Sequence, residues 1–374
     1  MKKKVIAAGH ICLDITPTFQ MESQSGTGQV FVPGRLIETG KADIHTGGAV
    51  ANTGLAMKIL GADVTLMGKI GDDAFGNMVM NILGKYDADG GMIVSKEEST
   101  SYSIVLAVPG IDRIFLHNPG ANHTFRASDI PEEALEDAAL FHFGYPPLMK
   151  SMYENDGSEL VGLMKNMKRH DIATSLDMAA VDGDSEAGKA NWEKILEQVL
   201  PYVDFFVPSA EELCFMLDKE RFADWKRRAG DGDVTEILDI ERDIRPLADQ
   251  CMAFGAKVLL IKCGAAGMYY RTADRMQLLG VGGRIGLNVG EWAQKEGFEE
   301  SYVPERVLSG TGAGDTSIAA FLTAVLEGYS LERAMNLAAA EGASCVAAYD
   351  ALSGLKSLEE LEKKISAGWE KRRT

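Results

Sequence analysis

The chain has 374 residues, 46% of them hydrophobic and 25% charged, an ordinary balance for a globular protein with a large core. A formal net charge of −17 argues against a nucleic-acid partner, which wants a basic face, and against docking on an anionic membrane. Five cysteines (Cys12, Cys214, Cys251, Cys263 and Cys345) form no CxxC pair, and their odd number fits thiols in a reducing cytoplasm better than a disulfide framework.

Lys2 to Lys4 and the apolar run 5–8 look briefly like a signal peptide. The run is too short, and His10 and Asp14 place polar groups just beyond it, so it reads as a first buried strand. No run approaches the ~18 apolar residues of a membrane span. Residues 15–46 carry no helical period and hold short β-type pieces such as 29–32. Gly47-Gly48 then opens a helical pattern through Val50, Ala51, Leu55, Ile59 and Leu60, with Gly61 as its stop.

Residues 64–68 read as a strand, and Gly71-Asp72-Asp73 leads into a helix through Leu83. Residues 92–117 read as strands, with 103–108 and 113–116 separated by the turn Pro109-Gly110. From 131 onward helices alternate with short strands, at 140–143, 173–176, 205–207 and 258–261. Such alternation implies a parallel sheet covered on both faces, an α/β fold. The β-rich pieces at 15–46 and 92–124 fall outside it and pair as a small separate sheet above the main one. Residues 218–245 are highly charged, and 280–300 are glycine-rich and then acidic; both read as solvated surface insertions.

Three segments carry chemistry. In Ser309-Gly310-Thr311-Gly312-Ala313-Gly314-Asp315-Thr316, small residues bring backbone N–H groups to one point at a helix start, which suits a phosphate. A carboxylate beside such a site, Asp315, makes sense as the acceptor of a proton from a nucleophile attacking that phosphate. An ordinary glycine-rich turn with a helix-capping Asp is the plainer alternative. Gly47-Gly48 permits close backbone approach to a ligand, and Asn52 offers the donor and acceptor that a polyol needs. Asp14, just past the first strand, is placed to hold a substrate hydroxyl or simply to form a turn.

These segments, in this order, resemble the ribokinase-like (PfkB) family of carbohydrate and nucleoside kinases over nearly the whole chain. Residues 47–71 match the N-terminal signature, with Asn52, Gly61 and Gly71 in register; Val50 and Gly54 depart from it. Residues 309–322 match the C-terminal signature, with Gly310 as the departure. The resemblance implies a single ribokinase-like domain over 1–374, three-layered around a mostly parallel sheet, with a lid from about 15–46 and 92–124. It implies Asp315 as general base and the N–H groups of Gly312, Ala313, Gly314 and Asp315 as anion hole. It implies Asp14, Gly47, Gly48 and Asn52 on the sugar. Ser209, Lys262, Gly264, Gly267, Ala339 and Gly342 would line the ATP site, with Glu212 on magnesium through water. The lid would exclude water and, as in several members, make a homodimer.

Departures mark a divergent subgroup. The family's Asn-x-x-Glu reads Ser209-Ala210-Glu211-Glu212, and Ala179 replaces the Asn of an Asp-x-Asn begun by Asp177. Ser309 stands where an Asp often helps to bind a monovalent cation, which argues against potassium activation.

No GxxxxGK[ST] excludes a P-loop enzyme, a dinucleotide fingerprint is missing, no GxSxG suggests a hydrolase, and the six histidines lack zinc spacing. Within the family a sugar phosphate would need cations near the lid, and Lys41, Arg35, Arg113 and Arg126 are scattered. A nucleoside would need an aromatic slot, for which Phe19, Phe31, Tyr102 and Phe115 are candidates. The sequence reads best as an ATP- and magnesium-dependent cytoplasmic kinase of a free sugar or polyol. A nucleoside kinase, a sugar-phosphate kinase and a non-catalytic sugar sensor are the alternatives.

Overall fold

The computed structural model describes residues 2–19, 31–109 and 114–372. Its strands are, in chain order, β1 (Lys4–Gly9), β2 (Cys12–Pro17), β3 (Ala42–Gly47), β4 (Asp63–Met67), β5 (Lys69–Gly71), β6 (Ile93–Ser95) and β7 (Tyr102–Leu106). The later strands are β8 (Ile114–Asn118), β9 (Ala138–Gly144), β10 (Ala173–Asp177), β11 (Phe205–Phe206), β12 (Val258–Lys262), β13 (Gly267–Thr272) and β14 (Glu296–Glu300). Among the described residues eight of them form one sheet, ordered β14-β13-β12-β11-β10-β9-β1-β4. Neighbours run parallel from β4 to β12, and β13 and β14 extend the edge antiparallel.

The three layers follow from the two-residue period of a strand. Val5 and Ala7 pack on one face, Ile6 and Ala8 on the other; Val258 and Leu260 separate from Leu259 and Ile261 in the same way. Helices Leu55–Ile59, Ala313–Leu326 and Leu331–Cys345 supply apolar side chains to the first face, and helices Ser158–Arg169, Trp192–Val199 and Ala210–Leu217 to the second. Strands buried on both faces lose the polar half of the alternation, and every residue of β9 and β10 is buried.

A second sheet, β3-β2-β7-β8, comes from the two segments that broke the alternation. β2 pairs antiparallel with β3 and parallel with β7, and β7 pairs antiparallel with β8. β3 carries no signal in its residue pattern, because half of its residues are exposed and no apolar period marks it. Of the piece expected at 29–32, residues 29 and 30 lie outside the described residues, and Phe31 and Val32 are in no strand. Gly110 of the expected turn and Arg113 also lie outside them. β5 and β6 form a separate parallel pair.

The two expected surface insertions are corrected. Within 218–245, helix Lys219–Ala229 buries Trp225 completely, and Val234 and Ile244 are buried as well. The Trp225 indole N–H donates to Asp243, which also pairs with Arg228, so the charge is partly internal wiring. Within 280–300, Ile285 and Trp292 are buried, and Trp292 meets Phe205 and Phe321 edge-on. The acidic end is edge strand β14, whose charge blunts an open sheet margin. No helix among the described residues is long and apolar enough to cross a membrane, and all five cysteines are buried free thiols.

Candidate active site

Four chemistry-bearing residues stand side by side at the C-terminal edge of the parallel strands, where such sheets bind ligands. His10 follows β1, Tyr145 follows β9, Asp177 ends β10 and Lys262 ends β12. Strand register enforces this, since Gly9 and Asp177 both pair with Gly144.

Asp315 meets this row from helix Ala313–Leu326. Its carboxylate accepts from Thr53 Oγ1 at 3.1 Å, from Asn52 Nδ2 at 3.1 Å, and from the Tyr145 hydroxyl at 2.7 and 2.9 Å. Burial raises its pKa above the usual carboxylate range, against the pull of Lys262 and these three donors. Gly312 caps the helix with φ +77°, a left-handed conformation that places the following N–H groups at the helix start. The first-turn N–H groups have no intrahelical acceptor. The Ala313 N–H bonds the Gly310 carbonyl at 3.3 Å.

Tyr145 holds φ 67° and ψ 42° ahead of Pro146 and Pro147, an uncommon conformation for a non-glycine residue. Burial, then the Asp315 charge, drives its phenol pKa well above the ordinary value, so it acts as a donor. Nothing in local composition singled it out. Its position one residue beyond an apolar strand was the available sign, as adjacency to Asn52 was for Thr53.

Lys262 Nζ lies 2.7 Å from Asp177 Oδ1, and both side chains are nearly buried. Burial pushes Asp177 up to about 8, with Lys262 opposing and Glu212 and Asp315 adding. Burial works against the charge on Lys262, but Asp177, Glu212 and Asp315 outweigh it and hold the ammonium protonated. Asp177 Oδ2 is buried and has no hydrogen-bond partner. Ser209 and Glu212 form a capping box on helix Ala210–Leu217: the Ser209 N–H donates to Glu212 at 2.8 Å, and the Glu212 N–H to Ser209 Oγ at 3.3 Å.

A cleft of about 560 Å³ joins these groups. Ala313, Gly314, Asp315 and Tyr145 line one part of it; Ser209, Glu212, Asp177 and Lys262 line another. Gly264, Gly267, Ala339 and Gly342 line the rest, so the residues singled out for a nucleotide converge. Asp233, Thr235 and Arg372 line it too; the first two were missed because 218–245 read as surface. Thr235 packs directly on Gly264.

The other group begins in the small sheet itself. Asp14 is in β2, accepts from Cys12 Sγ at 3.3 Å, and touches Gly47 so closely that a side chain there would displace its carboxylate. Gly48, at φ +87°, lies against the His10 backbone. Asn52 alone of this set bonds Asp315 directly. Of the cations considered for a sugar phosphate, Arg126 pairs with Glu154 and Glu159. Of the aromatics considered for a nucleoside, Tyr102 pairs with Phe75 and Phe19 with Phe31.

Among the described residues no group of three or more His, Cys, Asp or Glu side chains could hold a metal by itself. The unpartnered Asp177 oxygen and the Glu212 carboxylate, both on the cleft, fit a hard cation that takes its other ligands from phosphate and water.

A mostly parallel sheet between helix layers, a small second sheet, and a glycine-rich helix start at the strand ends define a sugar-kinase architecture. The chain belongs to the pfkB family of carbohydrate kinases, whose model matches residues 5–357, and it is a carbohydrate kinase. It is 25% identical over 342 residues to a probable fructokinase-2 of Arabidopsis thaliana, covering 88% of this chain and 84% of that one. The fold is shared with Arabidopsis thaliana ribokinase solved with ribose and ATP, at TM-score 0.70 and 20% identity over 97% of this chain and 98% of that one. It is shared equally with a putative ribokinase II from E. coli in complex with ATP and Mg+2, at TM-score 0.68 and 22% identity over 98% and 99%.

Proposed function

We propose that the chain transfers the γ-phosphoryl group of ATP to a hydroxymethyl group of a free sugar or polyol, with Asp315 as general base. The observation that carries this is the buried Asp315 carboxylate, ringed by hydroxyl and amide donors on the cleft that also gathers Ser209, Lys262, Gly264 and Gly267. A carboxylate so placed accepts the acceptor's proton as the oxygen attacks phosphorus.

The N–H groups of Gly312 to Asp315 receive the charge that develops on the transferred phosphoryl group. Lys262, Ser209, Gly264 and Gly267 orient the phosphates, and Ala339 and Gly342 wall the base. Asp14, Gly47, Gly48 and Asn52 hold sugar hydroxyls. Asp177 and Glu212 would hold magnesium, which neutralises phosphate charge when bound. The small sheet serves as a lid that keeps water from competing as acceptor. Ile44, Phe115 and Leu116 are exposed on it, which suits a homodimer through the lid. The paired Arg126 favours a free sugar over a sugar phosphate. A cytoplasmic setting supplies the ATP.

The test is ADP release with Mg-ATP against D-fructose, D-ribose, a hexose phosphate and adenosine. Turnover on a free sugar supports the reading. Ligand-induced thermal shifts without turnover would replace it with a non-catalytic sensor.

A further inference from the structure

We infer that His10 is a further acceptor-binding residue, one that hydrogen-bonds a hydroxyl group of the sugar and so selects among sugars; this rests on the acceptor reading above. The backbone of His10 is fixed: its N–H donates to the Gly144 carbonyl and its carbonyl accepts from the Val50 N–H, both at 3.2 Å. Its ring is 2% exposed, and both ring nitrogens are buried without a hydrogen-bond partner. A neutral imidazole carries one donor and one acceptor, and leaving both unmade in the interior is costly. A ligand hydroxyl, itself donor and acceptor, satisfies such a ring.

The surroundings say which ligand. The His10 ring lies 5.4 Å from the ring of His117, on β8 of the small sheet, and 6.2 Å from that of Tyr145, whose hydroxyl grips Asp315. His117 is itself tied to Ser103 on β7 at 3.0 Å. His10 therefore stands between the small sheet and the base, on the acceptor side of Asp315. The other deeply buried histidine, His142, differs: it lies within β9 and has Ser175 at 3.0 Å from Nδ1. Burial, with the His117 and His123 charges adding, pushes His10 down to about 3, so it meets the sugar uncharged. An uncharged ring reads a hydroxyl and gives little hold on a phosphate or carboxylate.

The experiment uses the full chain, Mg-ATP, whichever of D-fructose and D-ribose turns over faster, and each monodeoxy analogue of that sugar. His10→Phe keeps ring volume, and His10→Gln keeps a donor and an acceptor; unchanged melting and ATP KM show that both are folded. The expected result is a rise of about 10-fold or more in sugar KM for His10→Phe, partly rescued in His10→Gln. One deoxy analogue should be handled alike by wild type and His10→Phe. Identical discrimination by wild type and His10→Phe across all analogues would overturn the assignment. Wild-type turnover on neither sugar would overturn the acceptor reading beneath it.

Discussion

The Tyr145 hydroxyl donates to the Asp315 carboxylate, 2.7 Å from one oxygen and 2.9 Å from the other. Under the proposed mechanism, Tyr145 therefore orients the carboxylate that would act as base. Its donation also favours the ionised carboxylate.

Tyr145→Phe removes that donor, so the Asp315 pKa should rise further. A base works only when deprotonated, so the acid limb of the kcat/KM profile should move to higher pH. Measuring that profile for wild type and variant checks the sign. A limb that stays put or moves to lower pH contradicts the role.

The Lys262–Asp177 pair makes a second prediction. Lys262 is the cation that opposes the upward push on Asp177, so Lys262→Met should raise the Asp177 pKa further above about 8, and ATP affinity should fall with the loss of the ammonium. An NMR titration of the Asp177 carboxyl in wild type and variant checks the sign. An unchanged or lowered pKa contradicts the pairing.

Glu341 gives a prediction with a definite pH sign. It is fully buried in helix Leu331–Cys345, one of its oxygens has no partner, and burial pushes it up to about 8. A folded-state pKa above the unfolded one means that the native state binds the proton more tightly. Stability therefore falls as pH rises from about 4.5 to about 8. Glu341→Gln removes that dependence and should stabilise the protein at pH 8, because the amide carries no charge to bury. Thermal melts at pH 5 and pH 8 should show a larger gain at pH 8; an equal or smaller gain at pH 8 contradicts the account.

The sheet strands that carry the site were legible because burial on both faces makes them short apolar runs, as at 140–143 and 258–261. Residues 309–322 and 47–71 were legible because glycine spacing reflects backbone geometry directly. Tyr145 and His10 were not, since their importance comes from strand register, which sets residues far apart in the chain side by side. The segments 218–245 and 280–300 misled for a different reason. Their few buried anchors, Trp225 and Trp292, are outnumbered by surface charge, so composition hid their place in the core.

The central claim is that Asp315 takes the proton of the attacking hydroxyl. The most direct measurement is kcat for Asp315→Asn with Mg-ATP and the preferred sugar, alongside ligand-induced thermal shifts. A general base contributes about 10²–10⁴-fold, so kcat should fall by that factor while sugar and ATP still bind. Wild-type turnover in the variant would contradict the mechanism.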